Sequence, residues 1–448
     1  MRVVVVGAGM AGLRAADAIR KSGFAGEITV AGAEPHMPYN RPPLSKDGIG
    51  AEFDAAQLPF RVARAASMSI GWRLGAPAVA ADLSARNVTL GDGTVLGWDG
   101  LVIATGVRSR RLDLPGPLAG RHAIRTLDDL TALRADLERA RRIVIVGGGF
   151  IGCEVAAAAR TRGLDVTVVE PEPLPMRRPL GDELAAELLR RHEAHGVRFR
   201  LGTAPVAFEG GAFESGAFEG GAFGGGARVR AVTLTDGTAL DADLVIESVG
   251  SVPNTEWLGE NGLDLTDGVA CDGRLRVLAD GPSAAADGTS GLADGPSAAA
   301  NRLSAPPAAR DDVVAAGDVA RYPHPLLFGA SRRIEHWTVA TDTAKYAGAG
   351  LARHLSGSVG DHGADDGFAA VPSFWSDQYY MRILSFGVTG LPDVRILEGS
   401  LDGDVAVGYH RDGLLAGVVL IGLGGRYTRY RAEIAATINA LTQASAAR

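Results

Sequence analysis

A predominantly α/β chain with two nucleotide-binding folds and a further mixed domain at its C-terminal end is predicted by three observations. Arg2 to Glu34 and Arg142 to Glu170 repeat one grammar: an apolar strand, a glycine-rich turn, an alanine-rich helix, and a second strand ending at or near an acid. Alternating strands and helices imply a parallel sheet with crossover connections, and two such units imply two Rossmann-like folds. The chain has 448 residues, whereas single cores stop growing near about 250–300 residues, so several domains are expected. From about Arg321 the composition changes, with Trp337, Trp375 and several tyrosines, which marks a third domain of mixed α/β type.

Charge and cysteine content exclude several function classes. Lys and Arg number 45 against 52 Asp and Glu, a net charge of -7 that argues against general binding to nucleic acid or anionic membrane. The apolar run Val3 to Val6 ends in glycines too early for a signal peptide, and no run of 18 apolar residues occurs, so a cytoplasmic protein is expected. Cys153 and Cys271 stand far apart in no CxxC pairing, which leaves neither a disulfide framework nor a redox-active dithiol. Lysine occurs only at Lys21, Lys46 and Lys345, so a lysine retained inside a motif is informative.

Along the chain, Gly7, Gly9, Ala11 and Gly12 follow the Val-rich first strand and open the helix from Leu13 to Arg20. These glycines permit a tight turn, close approach of a pyrophosphate, and helix–strand packing, with the positive helix end facing the phosphates. Alone the motif could be a glycine-rich turn, but Gly147, Gly149, Phe150, Ile151 and Gly152 repeat it from strand into helix. In the second copy Glu170 ends the next strand, where an acid holds both ribose hydroxyls and repels a 2'-phosphate, so NADH is favoured. Arg177 and Arg178 follow, either touching the cofactor, making room for NADPH, or lying in a solvated loop. Leu101 to Gly106 and Leu244 to Gly250 come after the hairpin signals Gly91-Asp92-Gly93 and Asp236-Gly237, and close the two folds as returning strands. Glu247 within the second of them is a buried acid that needs a partner. Low-complexity inserts at Ala207 to Ala227 and Leu278 to Arg310 are expected to be surface loops without function. Val313 to Asp318 is a further buried strand.

These segments together resemble a known family. Tyr39 to Lys46, both glycine motifs, Ala104-Thr105-Gly106, Arg125 to Asp129, Gly250 to Asn254, Ala316 to Asp318, Arg333 to Trp337 and Phe374 to Gln378 run in order as in the FAD-dependent ferredoxin and rubredoxin reductases that serve oxygenases and cytochromes P450. The resemblance implies a glutathione-reductase-like three-domain architecture: residues 1–110 and 242–320 for FAD, with an insert near 278–310, residues 111–241 for NAD(P)H, and residues 321–448 as an interface domain. It implies that FAD contacts Gly7, Gly9, Ala11, Gly12, Ala33, Glu34, Arg41, Lys46, Val79, Ala104, Thr105, Gly106, Arg125, Gly317, Asp318, Glu335, His336, Trp337 and Trp375. For NAD(P)H it implies Gly147, Gly149, Phe150, Ile151, Gly152, Glu154, Glu170, Arg177, Arg178 and Gly250. Lys46 would lie beside the isoalloxazine ring, and Glu154 would pair with it or orient the nicotinamide. A cation there stabilises reduced flavin, and a carboxylate on the lysine fixes its position. The other readings are a plain interdomain ion pair for Lys46 and Glu154, and interface packing for Trp337 and Trp375.

One position departs from the family pattern: the ribose-binding acid expected after the second strand is Ala33, and Glu34 stands one residue late. The reaction then follows by elimination. Disulfide-reducing relatives carry a cysteine pair near the first flavin segment, whereas here Leu44 and Ser45 stand there, and Cys153 reads as a packing residue. Electrons must therefore leave the flavin for an outside acceptor, one at a time if that acceptor is iron-sulfur, and the resemblance implies a ferredoxin. Arg61, Arg64, Arg73, Arg108, Arg110, Arg111, Arg332 and Arg333 are candidates for a basic docking face. Alternatives are an NAD(P)H oxidase or diaphorase, an interaction flavoprotein of the apoptosis-inducing-factor type, and a substrate-oxygenating flavoprotein. No metal is expected, and the protein is taken as a monomer or homodimer.

Overall fold

The computed structural model describes residues 1–60, 69–211, 227–279, 308–328, 330–357 and 367–446. Its contacts divide the chain into two compact units, one of Met1–Tyr39, Arg61–Val107 and Pro253–Ala370, the other of Asn40–Phe60, Arg108–Val252 and Val371–Arg448.

The first unit is built on a sheet ordered Arg276–Ala279, Ala308–Ala315, Gly100–Ile103, Arg2–Val6, Glu27–Ala31, Ile70–Arg73. All its pairings are parallel except the outermost, Arg276–Ala279. The central strand Arg2–Val6 is buried from Val3 onward, the continuous apolar pattern of a strand covered on both faces. The helix Met10–Lys21 covers one face with Ala15, Ala16 and Ile19 fully buried. Its small side chains admit the helix Trp337–Leu355 so closely that a Cβ at Gly348 would stand 2.7 Å from the Ala15 carbonyl oxygen.

The second unit repeats the parallel pattern in a sheet ordered Arg198–Leu201, Asp165–Glu170, Arg142–Val146, Leu244–Glu247, Arg121–His122. Leu244–Glu247 is thus the returning strand of the second fold and lies outside the first, although the sequence division counted residues from 242 with the FAD domain. The stretch Asn40–Phe60 likewise belongs to the second unit. That unit also carries an antiparallel sheet, Ser373–Gln378, Met381–Gly387, Leu414–Ile421, Val405–Arg411, Asp393–Gly399, followed by the helix Tyr427–Ala446. Of its inner strands, Val405 to His410 and Leu415 to Ile421 are buried throughout.

Both hairpin signals are turns between antiparallel strands, Asn87–Leu90 with Val95–Gly97 and Arg228–Leu234 with Ala239–Asp241. The expected loops begin later and end earlier than the sequence implied. Pro205–Gly211 is a strand paired with Arg228–Leu234 in an antiparallel ladder with two register shifts, and residues 278–279 and 308–310 extend two sheet strands. The rest of both inserts, with Arg61 and Arg64, lies outside the described residues.

Glu247 finds its partners within the second unit. Its carboxylate, 2% exposed, accepts from the Leu112 amide at 2.7 Å, Arg121 Nε at 2.8 Å and Arg111 at 3.2 Å. Arg121 is itself buried, its guanidinium 3.8 Å above the Phe208 ring. Replacing Glu247 by alanine strands a buried guanidinium, so urea unfolding is expected to show a loss of about 3–5 kcal/mol.

Candidate active site

In the first unit the chain leaves the strand Arg2–Val6 through Gly7, whose amide donates to the Ala31 carbonyl at 2.7 Å while the Ala104 amide donates to Val6 at 2.8 Å. A Cβ on Gly7 would overlap the Ala104 carbonyl, and one on Gly12 would overlap the Gly7 carbonyl. The helix is N-capped by Gly9 without any side-chain hydrogen bond and has no acid in its first turn. Its first amides are therefore open to an anion. Gly317, at φ +75°, packs against Ala11, so the short helix Gly317–Val319 brings Asp318 to the same turn. The Gly317 amide donates to Thr343 of the helix Trp337–Leu355, which Glu335 and His336 precede and Trp337 opens. Thr105 and Asn254 exchange two hydrogen bonds, Thr105 Oγ1 donating to the Asn254 carbonyl at 2.7 Å and Asn254 Nδ2 to the Thr105 carbonyl at 3.0 Å. The motifs Ala104-Thr105-Gly106 and Gly250 to Asn254 are therefore tied together at this last residue.

The second unit duplicates the turn. A Cβ on Gly147 would overlap the Ser248 carbonyl and one on Gly152 the Gly147 carbonyl, whereas one on Gly149 would enter open space. The helix Phe150–Thr161 starts at Gly149, again with no side-chain cap. Glu170 is held in place by its own backbone neighbours, the Gly148 amide donating to Oε2 at 2.6 Å and the Glu172 amide to Oε1 at 3.0 Å. Arg177 and Arg178 turn away to Asp182 and Glu172. Gly250, at φ +93°, has open space where a side chain would stand. Cradles that a Cβ would fill, with uncapped amides facing them, fit the pyrophosphates of two dinucleotides.

The second unit also assembles the cluster around Lys46. The turns Pro42–Ser45 and Asp47–Ile49 carry it, and Arg134 donates to the carbonyls of Gly48 and Gly50, each at 2.7 Å. Glu154, four residues into the second glycine-turn helix and 4% exposed, meets Lys46 Nζ at 2.8 Å. Its Oε2 also accepts from Ser45 Oγ at 2.6 Å, and its Oε1 from Ser376 Oγ at 2.6 Å. The antiparallel strand Ser373–Gln378 puts Phe374, Ser376 and Gln378 on one face, at the spacing of helix positions 150 and 154. Phe374 accordingly meets Phe150, with ring centroids 4.7 Å apart, as Ser376 meets Glu154. By the same alternation Trp375 points to the other face of that strand. Burial pushes the thiol of Cys153 well up, and its Sγ lies against the Gly148 carbonyl as packing.

Several expected residues have plainer surroundings. Arg41 donates to the Arg125 carbonyl at 2.6 Å, and the motif from Arg125 to Asp129 is in part a capping box of Thr126 and Asp129 on the helix Leu127–Leu137. Val79 is 54% exposed on a small antiparallel sheet, and Ile151 is exposed. Ala33 is exposed, while Glu34 accepts from the Tyr39 hydroxyl at 2.6 Å. Of the arginines proposed for docking, Arg111 is tied to Glu247, and Arg333 to Asp267 and Glu335. The polar residues that sequence reasoning missed are Ser45 as a ligand of Glu154, Ser376, Gln378 and His192. Ser45, Ser376 and Gln378 stood inside quoted motifs without a role, and His192 carried no signal.

Two duplicated nucleotide cradles and a buried lysine–carboxylate pair without an accessible thiol define an oxidoreductase working with FAD and a pyridine nucleotide. Residues 1–304 match the pyridine nucleotide-disulphide oxidoreductase family, and the chain belongs to it. It is 36% identical over 441 residues to the anthranilate 1,2-dioxygenase system ferredoxin–NAD(+) reductase component of Burkholderia cepacia, covering 97% of this chain and 94% of that one. It is 34% identical over 407 residues to rhodocoxin reductase of Rhodococcus erythropolis, covering 90% and 82%. The putidaredoxin reductase in its covalent complex with putidaredoxin superposes with a TM-score of 0.80 at 28% identity, covering 97% and 93%.

Proposed function

We propose that the chain takes electrons from NADH onto FAD and delivers them to a ferredoxin-type iron-sulfur protein that serves a cytochrome P450 or another oxygenase. The observation that carries this reading is the Lys46–Glu154 cluster, with Ser45 where a disulfide reductase would need a thiol and both cysteines buried. FAD, when bound, accepts two electrons together and can release them singly. The first glycine turn and Asp318 would hold it, and the family resemblance gives Lys46 the role of a cation that favours its reduced form. Relatives named as ferredoxin–NAD(+) reductase components and a neighbour solved with its putidaredoxin support an iron-sulfur partner. Arg73, Arg108, Arg110 and Arg332 are exposed and suit an acidic one.

Glu170 supports NADH over NADPH, since a carboxylate fixed at the end of that strand repels a 2'-phosphate, and Arg177 and Arg178 are engaged by acids. Glu170→Ala is expected to raise the NADPH-to-NADH ratio of kcat/KM by about tenfold, a difference of roughly 1.4 kcal/mol, measured in steady state with both nucleotides. A cytoplasmic setting agrees with two unpaired thiols; among the described residues no helix is long and apolar enough to cross a membrane.

Anaerobic stopped-flow reduction by NADH and NADPH, followed by mixing with ferredoxin plus cytochrome c or with oxygen, tests the reading. Fast reduction by NADH, ferredoxin-dependent cytochrome reduction and slow oxygen uptake are expected. Rapid oxygen uptake without ferredoxin would instead establish an oxidase or diaphorase.

A further inference from the structure

We propose that Ser376 is a positioning residue for electron transfer, holding the Glu154 carboxylate so that Lys46 is kept in place, with Gln378 and His192 fixing the direction of the Ser376 hydroxyl. The inference rests on the reductase reading and names residues that the Lys46–Glu154 pair depends on.

A carboxylate buried to this degree is stable only if both oxygens find donors. Oε2 has two, Lys46 at 2.8 Å and Ser45 at 2.6 Å, while Oε1 has Ser376 at 2.6 Å. Ser376 is fully buried, and its oxygen accepts from Gln378 Nε2 at 3.0 Å, so its proton is directed at Glu154. The amide of Gln378, also fully buried, is oriented in turn by His192, whose Nε2 lies 2.7 Å from Gln378 Oε1 and acts as the donor. Burial lowers the His192 pKa, and its Nδ1 has no hydrogen-bond partner among the described residues, so the neutral ring is the form that fits. Gln378 Nε2 additionally reaches Met176 Sδ at 3.6 Å, and the Met176 amide donates to Gly148 of the second glycine turn.

From His192 through Gln378 to Ser376, the chain of hydrogen bonds ends on one carboxylate. His192 lies on the helix Asp182–Ala194, Ser376 and Gln378 on the strand Ser373–Gln378, and Glu154 on the helix Phe150–Thr161. The strand is held in register at its tip, where Tyr379 takes φ +55° and stacks on His195 at 3.8 Å. Without the Ser376 hydroxyl, Oε1 loses its donor, the carboxylate is free to turn, and the lysine loses its fixed counter-charge.

Ser376→Ala in the flavin-loaded protein is expected to slow reduction by NADH about tenfold or more, the size of one hydrogen bond to a charged group, with KM for NADH unchanged. The flavin midpoint potential should fall by about 30 mV, a tenfold effect for a two-electron couple. Ser376→Thr, which keeps a hydroxyl, should recover most of both. In a Glu154→Gln background the same alanine should change the rate by less than about twofold, because the two residues act as one unit. Gln378→Leu, which leaves the hydroxyl but removes its orienting donor, should shift rate and potential in the same direction by about threefold, and carries the test if the alanine variant does not hold flavin. An unchanged rate and potential in Ser376→Ala, or an equal loss with and without Glu154, would overturn the inference. A wild-type protein that NADH does not reduce would instead overturn the reductase reading, while the potential measurement on chemically reduced protein would still decide the role of Ser376.

Discussion

Alanine at Gly12 will yield a protein that purifies with little or no flavin. The added Cβ overlaps the Gly7 carbonyl, so either the helix Met10–Lys21 lifts from the strand Arg2–Val6 or the turn between them opens. Neither contact partner is a flexible side chain that can move aside, and overpacking of this kind costs about 1–3 kcal/mol where it falls in a core. At this turn the displaced atoms are the amides that would face the pyrophosphate. The ratio of flavin to protein absorbance is expected to fall below about a tenth of wild type, given that a penalty of roughly 1.4 kcal/mol is already tenfold in affinity. Gly152→Ala makes the same overlap at the Gly147 carbonyl in the second turn. That variant should remain yellow, be reduced by dithionite, and resist reduction by NADH. The opposite pattern, flavin lost only with Gly152→Ala, would exchange the two nucleotide assignments.

Glutamine at Glu154 is expected to lower the rate of flavin reduction by about 100-fold or more, the scale of removing one preorganised charge interaction from a site. Lys46 is 14% exposed at its side chain, so with its counter-ion gone the ammonium is a poorly solvated cation left with the Pro42 carbonyl at 3.3 Å. It will shift outward, and the fixed positive charge on which the proposed flavin chemistry depends is lost. Lys46→Met should match this loss, and the double variant should be no slower than either single one, since neither group acts without the other. Stopped-flow reduction under anaerobic conditions reads all three. Rates within about threefold of wild type would reduce the pair to a structural link.

Much of this was legible before any coordinates. Gly7 to Gly12 and Gly147 to Gly152 announce themselves because strand, turn and helix are neighbours in sequence and their contacts span few residues. The hairpins at Gly91 to Gly93 and Asp236-Gly237 were visible for the same reason. Glu170 was legible as the acid closing the second strand, while its hold on the Gly148 amide was not. The strand Pro205–Gly211 was missed, because Gly and Ala carry weak strand propensity and its ladder with Arg228–Leu234 comes from a partner beyond the insert. Glu247 looked anomalous in an apolar strand, and its partners Arg121 and Arg111 stand 126 and 136 residues away.

By itself the sequence determined the duplicated nucleotide folds, the absence of a usable thiol and the identity of Lys46 and Glu154 as the pair to examine. The first two follow from periodicity, turn chemistry and composition, all of which act over a few residues, and the pair from the resemblance to the reductase family. Only the tertiary structure decided that Ser45 and Ser376, 109 and 222 residues from Glu154, complete its hydrogen bonding, and that Gln378 is oriented by His192 across 186 residues. A serine in a strand carries no mark of which charge it will meet; burial of the carboxylate by three separate segments creates the demand that its hydroxyl meets.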